Sequence, residues 1–256
     1  MRFAVTTLAL AGTIACHHAP PPPPRPSAPP PPSGATAQTP MGAAAGPEAV
    51  ANEPLQIRWV RVSAEYEALV RQAYRAADAH VEREARSRAS GLWGVILDAD
   101  ETVISNLTYQ IEQQGKPYSA DTWAAWVKRR EATALPGAKA FLAHVRELGG
   151  RVVIVTNRRA AVCDDTKAVF AAQGLAYDEM LCRTDVEDKN PRFDAVEKGT
   201  APSTLGPLAI VAFLGDNITD FPHLSQAIRG QESAFSDVGT RFFVLPNPMY
   251  GSFEAR

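Results

Sequence analysis

Short apolar runs alternate with longer amphipathic stretches over most of this 256-residue chain, from Trp93 to Leu245. Runs such as Trp93–Leu97 and Arg151–Val155 are largely apolar and too short for helices, which indicates buried strands. The stretches between them repeat apolar residues at helical spacing. Strands that alternate with helices predict an α/β fold with a parallel sheet and helices on both faces. The other predicted elements are strands at Glu179–Cys182, Leu208–Leu214 and Arg241–Leu245, and helices at Ser63–Arg88, Ala138–Leu148, Asp164–Gln173, Asn190–Lys198 and Phe221–Ile228.

One long segment, at about residues 105–135, separates the first predicted strand from the next helix. It is rich in charged residues and contains Tyr109, Trp123 and Trp126. A segment of this length and composition after the first strand predicts a small helical insertion that covers one edge of the sheet.

The amino-terminal residues have the pattern of an export signal. Arg2 precedes an apolar stretch from Phe3 to Ala15, which is too short to span a membrane and fits a secretory signal. Cys16 follows directly, so residues 1–16 resemble a bacterial lipoprotein signal in which Cys16 is lipidated. Ordinary cleavage near Ala15 is the alternative. We therefore expect an exported protein, either anchored by lipid to the outer membrane or cell surface or free in the periplasm.

A Pro-rich segment separates this signal from the folded part. Ten of the thirteen residues from Pro20 to Pro32 are proline, and such a run favours extended polyproline II. Residues 17–54 are therefore predicted to be a disordered tether, and residues 55–256 a single domain. The formal net charge is −2 and no basic stripe is present, which argues against a nucleic-acid polymer as partner.

Two cysteines remain within the predicted domain, Cys163 and Cys182. In an oxidising compartment they could form one disulfide. The sequence leaves this bridge and two separate thiols as alternatives.

Polar residues follow each main predicted strand. Asp98 and Asp100 follow the first, and Thr156-Asn157-Arg158 follows the second. Carboxylates are expensive to bury, so we expect these groups at the carboxyl edge of the sheet, where α/β proteins bind ligands. The same edge is expected to receive Lys189, Asp216 and Asp220.

A cluster of this kind needs a cation. Three or four carboxylates in one small volume repel one another unless positive charge balances them. A hard divalent metal with oxygen ligands satisfies this requirement, and Mg²⁺ is the expected cofactor.

These motifs together resemble those of a known family. Asp98-Ala99-Asp100-Glu101-Thr102, Thr156, Lys189 and Gly215-Asp216-Asn217 with Asp220 are similar in order and spacing to the phosphatases of the haloacid dehalogenase (HAD) superfamily. Trp59, Ser63-Ala64-Glu65-Tyr66, Thr156-Asn157-Arg158 and Leu245-Pro246-Asn247-Pro248-Met249-Tyr250-Gly251 resemble the class C acid phosphatases, also called the lipoprotein e(P4) family of 5′-nucleotidases.

The resemblance implies a role for each motif residue. Asp98 would be the nucleophile and Asp100 the general acid and base. Asp98 and Asp216 would be side-chain ligands of Mg²⁺, Asp100 would bind it through its backbone carbonyl, and Asp220 would bind the water shell of the metal and hold the site in shape. The phosphate-binding groups would be Thr156, Asn157 and Lys189. No catalytic histidine is assigned, which argues against the histidine-based acid phosphatases.

The resemblance also implies a substrate class, namely small phosphomonoesters such as 5′-nucleotides. Trp123 and Tyr250 would stack on the nucleobase, although core packing is an equal alternative for both. A homodimer is left open. Two other functions are also left open: a catalytically inactive surface lipoprotein that binds a ligand or partner, and a phosphatase acting on phosphoproteins or nucleic-acid ends.

Overall fold

The computed structural model describes residues 53–114, 116 and 118–254. The signal predicted for residues 1–16, with Cys16, and most of the tether predicted for residues 17–54 therefore lie outside the described residues. The strands are β1 (Trp93–Leu97), β2 (Ile104–Ser105), β3 (Thr133–Ala134), β4 (Arg151–Arg159), β5 (Glu179–Arg183), β6 (Ala209–Gly215) and β7 (Phe242–Val244). The helices are α1 (Leu55–Val62), α2 (Ala64–Ala85), α3 (Leu107–Gln113), α4 (Ala120–Arg129), α5 (Ala138–Glu147), α6 (Cys163–Gln173) and α7 (Asn190–Lys198).

Five strands form a central parallel sheet in the order β5-β4-β1-β6-β7. The predicted α/β fold is confirmed. On one face, the apolar sides of α2, α5 and α6 pack on the sheet, and on the other face α7 does so with the loops around it. The strand β1 lies in the middle of the sheet and is buried along its whole length, as its unbroken apolar run predicts.

Local sequence explains where the main helices begin and end. The side chain of Ser63 accepts a hydrogen bond from the backbone N–H of Tyr66 (3.1 Å) and so caps the start of α2. Pro191 lies in the first turn of α7, where a missing N–H costs nothing. Gly199 ends the same helix in the left-handed conformation, with φ of +64°.

The insertion after β1 is a small cap built from α3, α4 and an antiparallel ribbon of β2 and β3. The sequence predicts its helices but not the ribbon. Each ribbon strand is two residues long, which is too short to show an alternating pattern. Ile104 pairs with Ala134 and Ser105 with Thr133, so the ribbon joins the two ends of the cap.

The helix predicted at Phe221–Ile228 is wrong. The chain there forms two short 3₁₀ turns, Ile218–Asp220 and Gln226–Ile228, joined by irregular backbone. Pro222 keeps Phe221, the residue before it, out of the helical region, and the left-handed backbone of His223 interrupts the helix one residue later. Phe221 is accordingly extended (φ −110°, ψ 140°), and His223 has φ of +60°. His223, which falls within the predicted helix, is thus an exposed loop residue.

Cys163 and Cys182 form a disulfide with an S–S distance of 2.04 Å. It joins the first residue of α6 to β5. Within the described ranges, none of the helices has the length and apolar character needed to cross a bilayer.

Candidate active site

The register of the sheet brings the polar strand ends together. Leu97 of β1 pairs with Ile154 of β4 and with Leu214 of β6. The residues that follow these three positions are therefore neighbours at the carboxyl edge. Asp98 is fixed there by its backbone N–H, which donates to the carbonyl of Leu214 (3.0 Å).

Three aspartates converge at this edge. Carboxylate oxygens of Asp98, Asp216 and Asp220 all lie within 4.8 Å of one another. Asp98 and Asp220 are buried and Asp216 is half-buried. Asp100 contributes no side-chain oxygen to this group, and its carboxylate is bound elsewhere.

Lys189 lies at the centre of the acidic cluster. Its buried ammonium donates to Asp98 Oδ1 (2.5 Å) and to Asp220 Oδ1 (2.6 Å). Burial lowers the pKa of Lys189, but the charges of Asp220 and Asp98 more than compensate and raise it above its ordinary value. Lys189 is therefore permanently charged.

The motif Gly215-Asp216-Asn217 with Asp220 is explained by close packing. A Cβ at position 215 would lie 2.3 Å from the Cβ of Asp220, so only glycine lets this aspartate approach the end of β6. The second oxygen of Asp220 accepts from the backbone N–H of Asn217 (2.9 Å), and the side chain of Asn217 caps the same 3₁₀ turn. Asp220 therefore both caps this turn and binds Lys189.

The electrostatics of the cluster fit a divalent cation. Burial is the main reason that the pKa of Asp98 is raised to about 7, in spite of the opposing charge of Lys189. Burial, followed by the charges of Asp220 and Asp98, also raises the pKa of Asp216 well above its ordinary value. Three carboxylates facing one ammonium leave two negative charges unbalanced, and hard oxygen ligands suit Mg²⁺. Neither carboxylate oxygen of Asp216 binds Lys189. One of them accepts a hydrogen bond from Asn247 Nδ2 (2.7 Å).

Thr156 and Asn157 lie beside the cluster at the end of β4. Thr156 Oγ1 accepts from the backbone N–H of Arg158 (3.1 Å), and a hydroxyl that accepts one bond still donates its own hydrogen. Asn157 Oδ1 accepts from Arg192 (2.5 Å), which orients the side-chain NH₂ group away from Arg192. Arg192 also donates to the carbonyl of Thr156 (2.6 Å), so one buried arginine holds both residues.

The carboxylate of Asp100 is bound by Arg158 and Asn106. Arg158 Nε and Nη2 lie 2.9 and 2.8 Å from Asp100 Oδ1, and Asn106 Nδ2 donates to the same oxygen (2.8 Å). Glu101, with φ of +48°, turns the chain in a conformation that is rare for residues other than glycine. Its buried carboxylate accepts from the backbone N–H of Asn106 (2.7 Å) and so fixes the turn that follows Asp100.

The two aromatic residues expected at the substrate differ in their surroundings. Trp123 is half-buried in the cap, packs edge-on against Tyr109 (5.1 Å) and has the guanidinium of Arg158 over its ring (5.5 Å). The hydroxyl of Tyr250 is buried and has no hydrogen-bond partner in the part of the chain that the structure describes. No aromatic contact joins the two residues within the same part, so base stacking between them remains a prediction.

Several residues around the site have roles that the sequence did not predict. No role in the site was assigned to Asn106, Asn247, Glu101, Arg158 or Arg192. The sequence contains a signal for three of them. Arg158 and Asn247 belong to motifs that carry the family resemblance, and Glu101 lies between Asp100 and Thr102 in another such motif. Asn106 had none, since its role depends on how the cap folds back.

A parallel sheet with Asp-x-Asp after its central strand, a threonine after the next, and a buried lysine facing further aspartates is the arrangement of the HAD superfamily. The chain belongs to subfamily IIIB of that superfamily, the acid phosphatases, whose family model matches residues 34–253. The predicted family and enzyme class, a phosphomonoesterase, are thus confirmed.

Solved structures agree with this assignment. The class C acid phosphatase from Bacillus anthracis is similar to this chain at 26% identity, with a TM-score of 0.67. A second structure of that enzyme, with tungstate bound, gives 26% identity and a TM-score of 0.68. Each match covers 78% of this chain and 85% of the other.

Proposed function

We propose that this acid phosphatase is Mg²⁺-dependent and hydrolyses small phosphomonoesters, with 5′-nucleotides as the expected class, through an aspartyl-phosphate on Asp98. The observation that supports this most is the buried group of Asp98, Asp216 and Asp220 around Lys189. Such a cluster provides a nucleophile, a cation site and a fixed positive charge in one volume. These are the parts that phosphoryl transfer needs, because positioning and charge stabilisation provide most of its catalysis.

In the proposed reaction, a carboxylate oxygen of Asp98 attacks phosphorus and the ester P–O bond breaks. Asp100 gives its proton to the departing alkoxide. Asp100 then takes a proton from a water molecule, which attacks the aspartyl-phosphate and releases inorganic phosphate with the Asp98 carboxylate restored. Thr156 and Asn157 donate hydrogen bonds to the phosphoryl oxygens, and Lys189 neutralises charge on them.

The proposed metal ligands are the side chains of Asp98 and Asp216 and the backbone carbonyl of Asp100. Both oxygens of Asp220 already accept hydrogen bonds, from Lys189 and from Asn217. Asp220 is therefore assigned to the water shell of the metal and to holding Lys189. When bound, Mg²⁺ supplies positive charge to the phosphoryl oxygens. Tungstate is a tetrahedral oxyanion, so its presence in the similar B. anthracis structure supports an oxyanion site in this family.

The substrate preference rests on the cap. Trp123 presents an aromatic ring next to Arg158, which itself binds Asp100. A ring so close to the site can stack on a nucleobase, and stacking tolerates all bases. A cap with a half-buried tryptophan also favours small substrates over phosphoproteins or nucleic-acid ends.

Phosphate release tests the proposal. Nucleoside 5′-monophosphates and p-nitrophenyl phosphate are incubated with the protein in Mg²⁺ and in EDTA. We expect turnover only with Mg²⁺, and loss of all measurable turnover in Asp98→Asn, which keeps the size of the side chain. A folded wild-type protein without turnover on any substrate would favour the inactive, ligand-binding alternative.

We also propose that the protein is exported and anchored by lipid at Cys16. The Cys163–Cys182 disulfide supports export, because disulfides persist in oxidising compartments. The proposal of a lipid anchor rests on the apolar stretch before Cys16 and the Pro-rich segment after it. Cleavage near Ala15 with release into the periplasm is the alternative.

A further inference from the structure

Arg158 is a buried arginine whose hydrogen bonds are used within the protein. It is 2% exposed, and its guanidinium binds Asp100 (2.8 and 2.9 Å), Asn106 Oδ1 (2.9 Å) and Thr166 Oγ1 (3.2 Å). Its N–H groups are thus directed at Asp100 and its surroundings and not at a phosphate. The arginine is buried and the carboxylate of Asp100 is partly buried, so breaking the pair would leave a buried charge without its partner, and the pair fixes the orientation of the carboxylate.

Asn106 is fully buried and completes the hold on Asp100. Its Nδ2 donates to Asp100 Oδ1 (2.8 Å) and to Glu101 Oε2 (3.2 Å). Its Oδ1 accepts from Arg158 (2.9 Å) and from the indole N–H of Trp126 (2.8 Å). All four contacts agree with one orientation of the amide, since acceptors face the NH₂ group and donors face the oxygen.

Trp126 connects this network to the cap. It is a buried residue of helix α4, and its only polar atom is the N–H that donates to Asn106. The position of α4 is thereby linked through one amide to the carboxylate of Asp100. The cap is thus part of the apparatus that orients Asp100, in addition to covering the cleft.

We infer that Arg158, Asn106 and Trp126 are positioning residues for the general acid, holding the Asp100 carboxyl where it protonates the departing oxygen of the substrate. The inference rests on the proposed function. It predicts a specific defect: loosening the network impairs proton transfer to the leaving group and leaves the attack by Asp98 intact. A general acid accelerates a reaction typically by about 10²–10⁴-fold, and this gain is lost in part when its position is not fixed.

A series of substituted phenyl phosphates, from phenyl to p-nitrophenyl, tests the inference. The esters have nearly the same shape but differ in how much their leaving oxygen needs a proton. We use kcat/KM because it reports the steps up to departure of the phenol and not the later hydrolysis. The variants are Arg158→Lys, Asn106→Ala and Trp126→Phe, the last of which keeps an aromatic ring but removes the N–H together with part of the indole.

We expect kcat/KM for phenyl phosphate to fall at least about tenfold more than kcat/KM for p-nitrophenyl phosphate in Arg158→Lys and Asn106→Ala. Trp126→Phe is expected to shift the ratio in the same direction by a smaller factor. Lys128→Gln is the matched control, because this lysine is exposed on the same helix α4 and has no polar contact with the network among the described residues. Its ratio should equal that of the wild type.

A fall by the same factor for every ester in the folded variants would overturn the inference, since it would indicate a purely structural role. If Arg158→Lys and Asn106→Ala do not fold, Trp126→Phe decides, and an unchanged ratio in that variant overturns the inference. Failure of the proposed function gives a different result, namely wild-type protein that hydrolyses none of the esters or an Asp98→Asn variant that still does.

Discussion

At the scale of the residue, Lys189 explains how buried carboxylates coexist at the end of β1. One ammonium binds two of the three aspartates, and the third, Asp216, is oriented by Asn247. Lys189 lies directly before α7, where the backbone turns it inward. The cluster therefore combines local negative charge for a cation with a fixed positive charge for the substrate.

We predict that Lys189→Met destabilises the protein by about 3 kcal/mol, because it leaves two buried carboxylates without their partner. In Mg²⁺, turnover should also fall by about 10²-fold or more through loss of a charge at the phosphoryl group. Urea unfolding and steady-state kinetics measure the two effects. Lys198→Met is the control: this lysine lies at the exposed end of the same helix and, among the described residues, forms an ion pair with Asp194 alone, so its loss should cost less than about 1 kcal/mol. Wild-type kcat in Lys189→Met would refute the assigned role.

At the scale of the element, the sheet and its main helices follow from sequence because their apolar patterns are long and regular. The strand β1 is a continuous apolar run, β4 contains one from Val152 to Val155, and α2 has apolar residues at helical spacing with a serine cap. The carboxyl-edge position of Asp98 follows from the same pattern. These elements are specified by local sequence and general packing rules.

The remaining features depend on contacts that are distant in sequence. The β2–β3 ribbon forms only when the ends of the cap meet, and the left-handed backbone of His223 interrupts a helix that apolar spacing alone suggests. The network of Asp100 joins residues up to 58 positions apart, as in the Arg158–Asp100 pair. No periodicity reports such a contact, which is why Asn106 and Trp126 were not assigned to the site.

The packing of α2 against α5 gives a pH-dependent prediction. His144 Nδ1 lies 2.6 Å from Asp78 Oδ1, and this hydrogen bond, with the charge of Asp78, raises the pKa of His144 above 6.5. The folded protein thus holds the proton more tightly than the unfolded chain. The resulting stabilisation is complete below the unfolded pKa and is lost as the pH rises through the folded pKa.

Asp78→Asn should therefore cost more stability at about pH 5.5 than at about pH 9, where the imidazole is neutral with or without its partner. Both side chains are partly exposed, so the difference should be no more than about 1 kcal/mol. Denaturant unfolding at the two pH values measures it. Asp237→Asn, which removes an exposed carboxylate with no ion pair among the described residues, should show no such pH-dependent difference. An Asp78→Asn effect that grows with pH would contradict the assignment.

At the scale of the whole molecule, the disulfide and the amino-terminal sequence are consistent with the proposed export of this phosphatase. The disulfide joins α6 to β5 beside β4, which bears Thr156 and Asn157. The segment before Leu55 contains a Pro-rich run, which favours an extended chain that holds a domain away from its attachment point. A lipid anchor at Cys16, as proposed, would attach the domain to the membrane through this segment.

We expect full-length protein expressed in a bacterial host to partition with membranes, and Cys16→Ser to appear in the soluble periplasmic fraction with its specific activity retained. Fractionation followed by phosphatase assay measures both. Cys163→Ser serves as a control for loss of a cysteine as such and should stay with the membranes. Membrane partition of Cys16→Ser would contradict lipidation at this residue.

The central claim is that Asp98 receives the phosphoryl group, and acid quenching tests it most directly. The protein is mixed with p-nitrophenyl phosphate and Mg²⁺, quenched in acid within the first turnovers, digested and analysed by mass spectrometry. The account predicts a peptide containing Asp98 that is heavier by one phosphoryl group, and no such peptide in Asp98→Asn. A phosphoryl group on any other residue, or turnover without a trapped phosphopeptide, would contradict it.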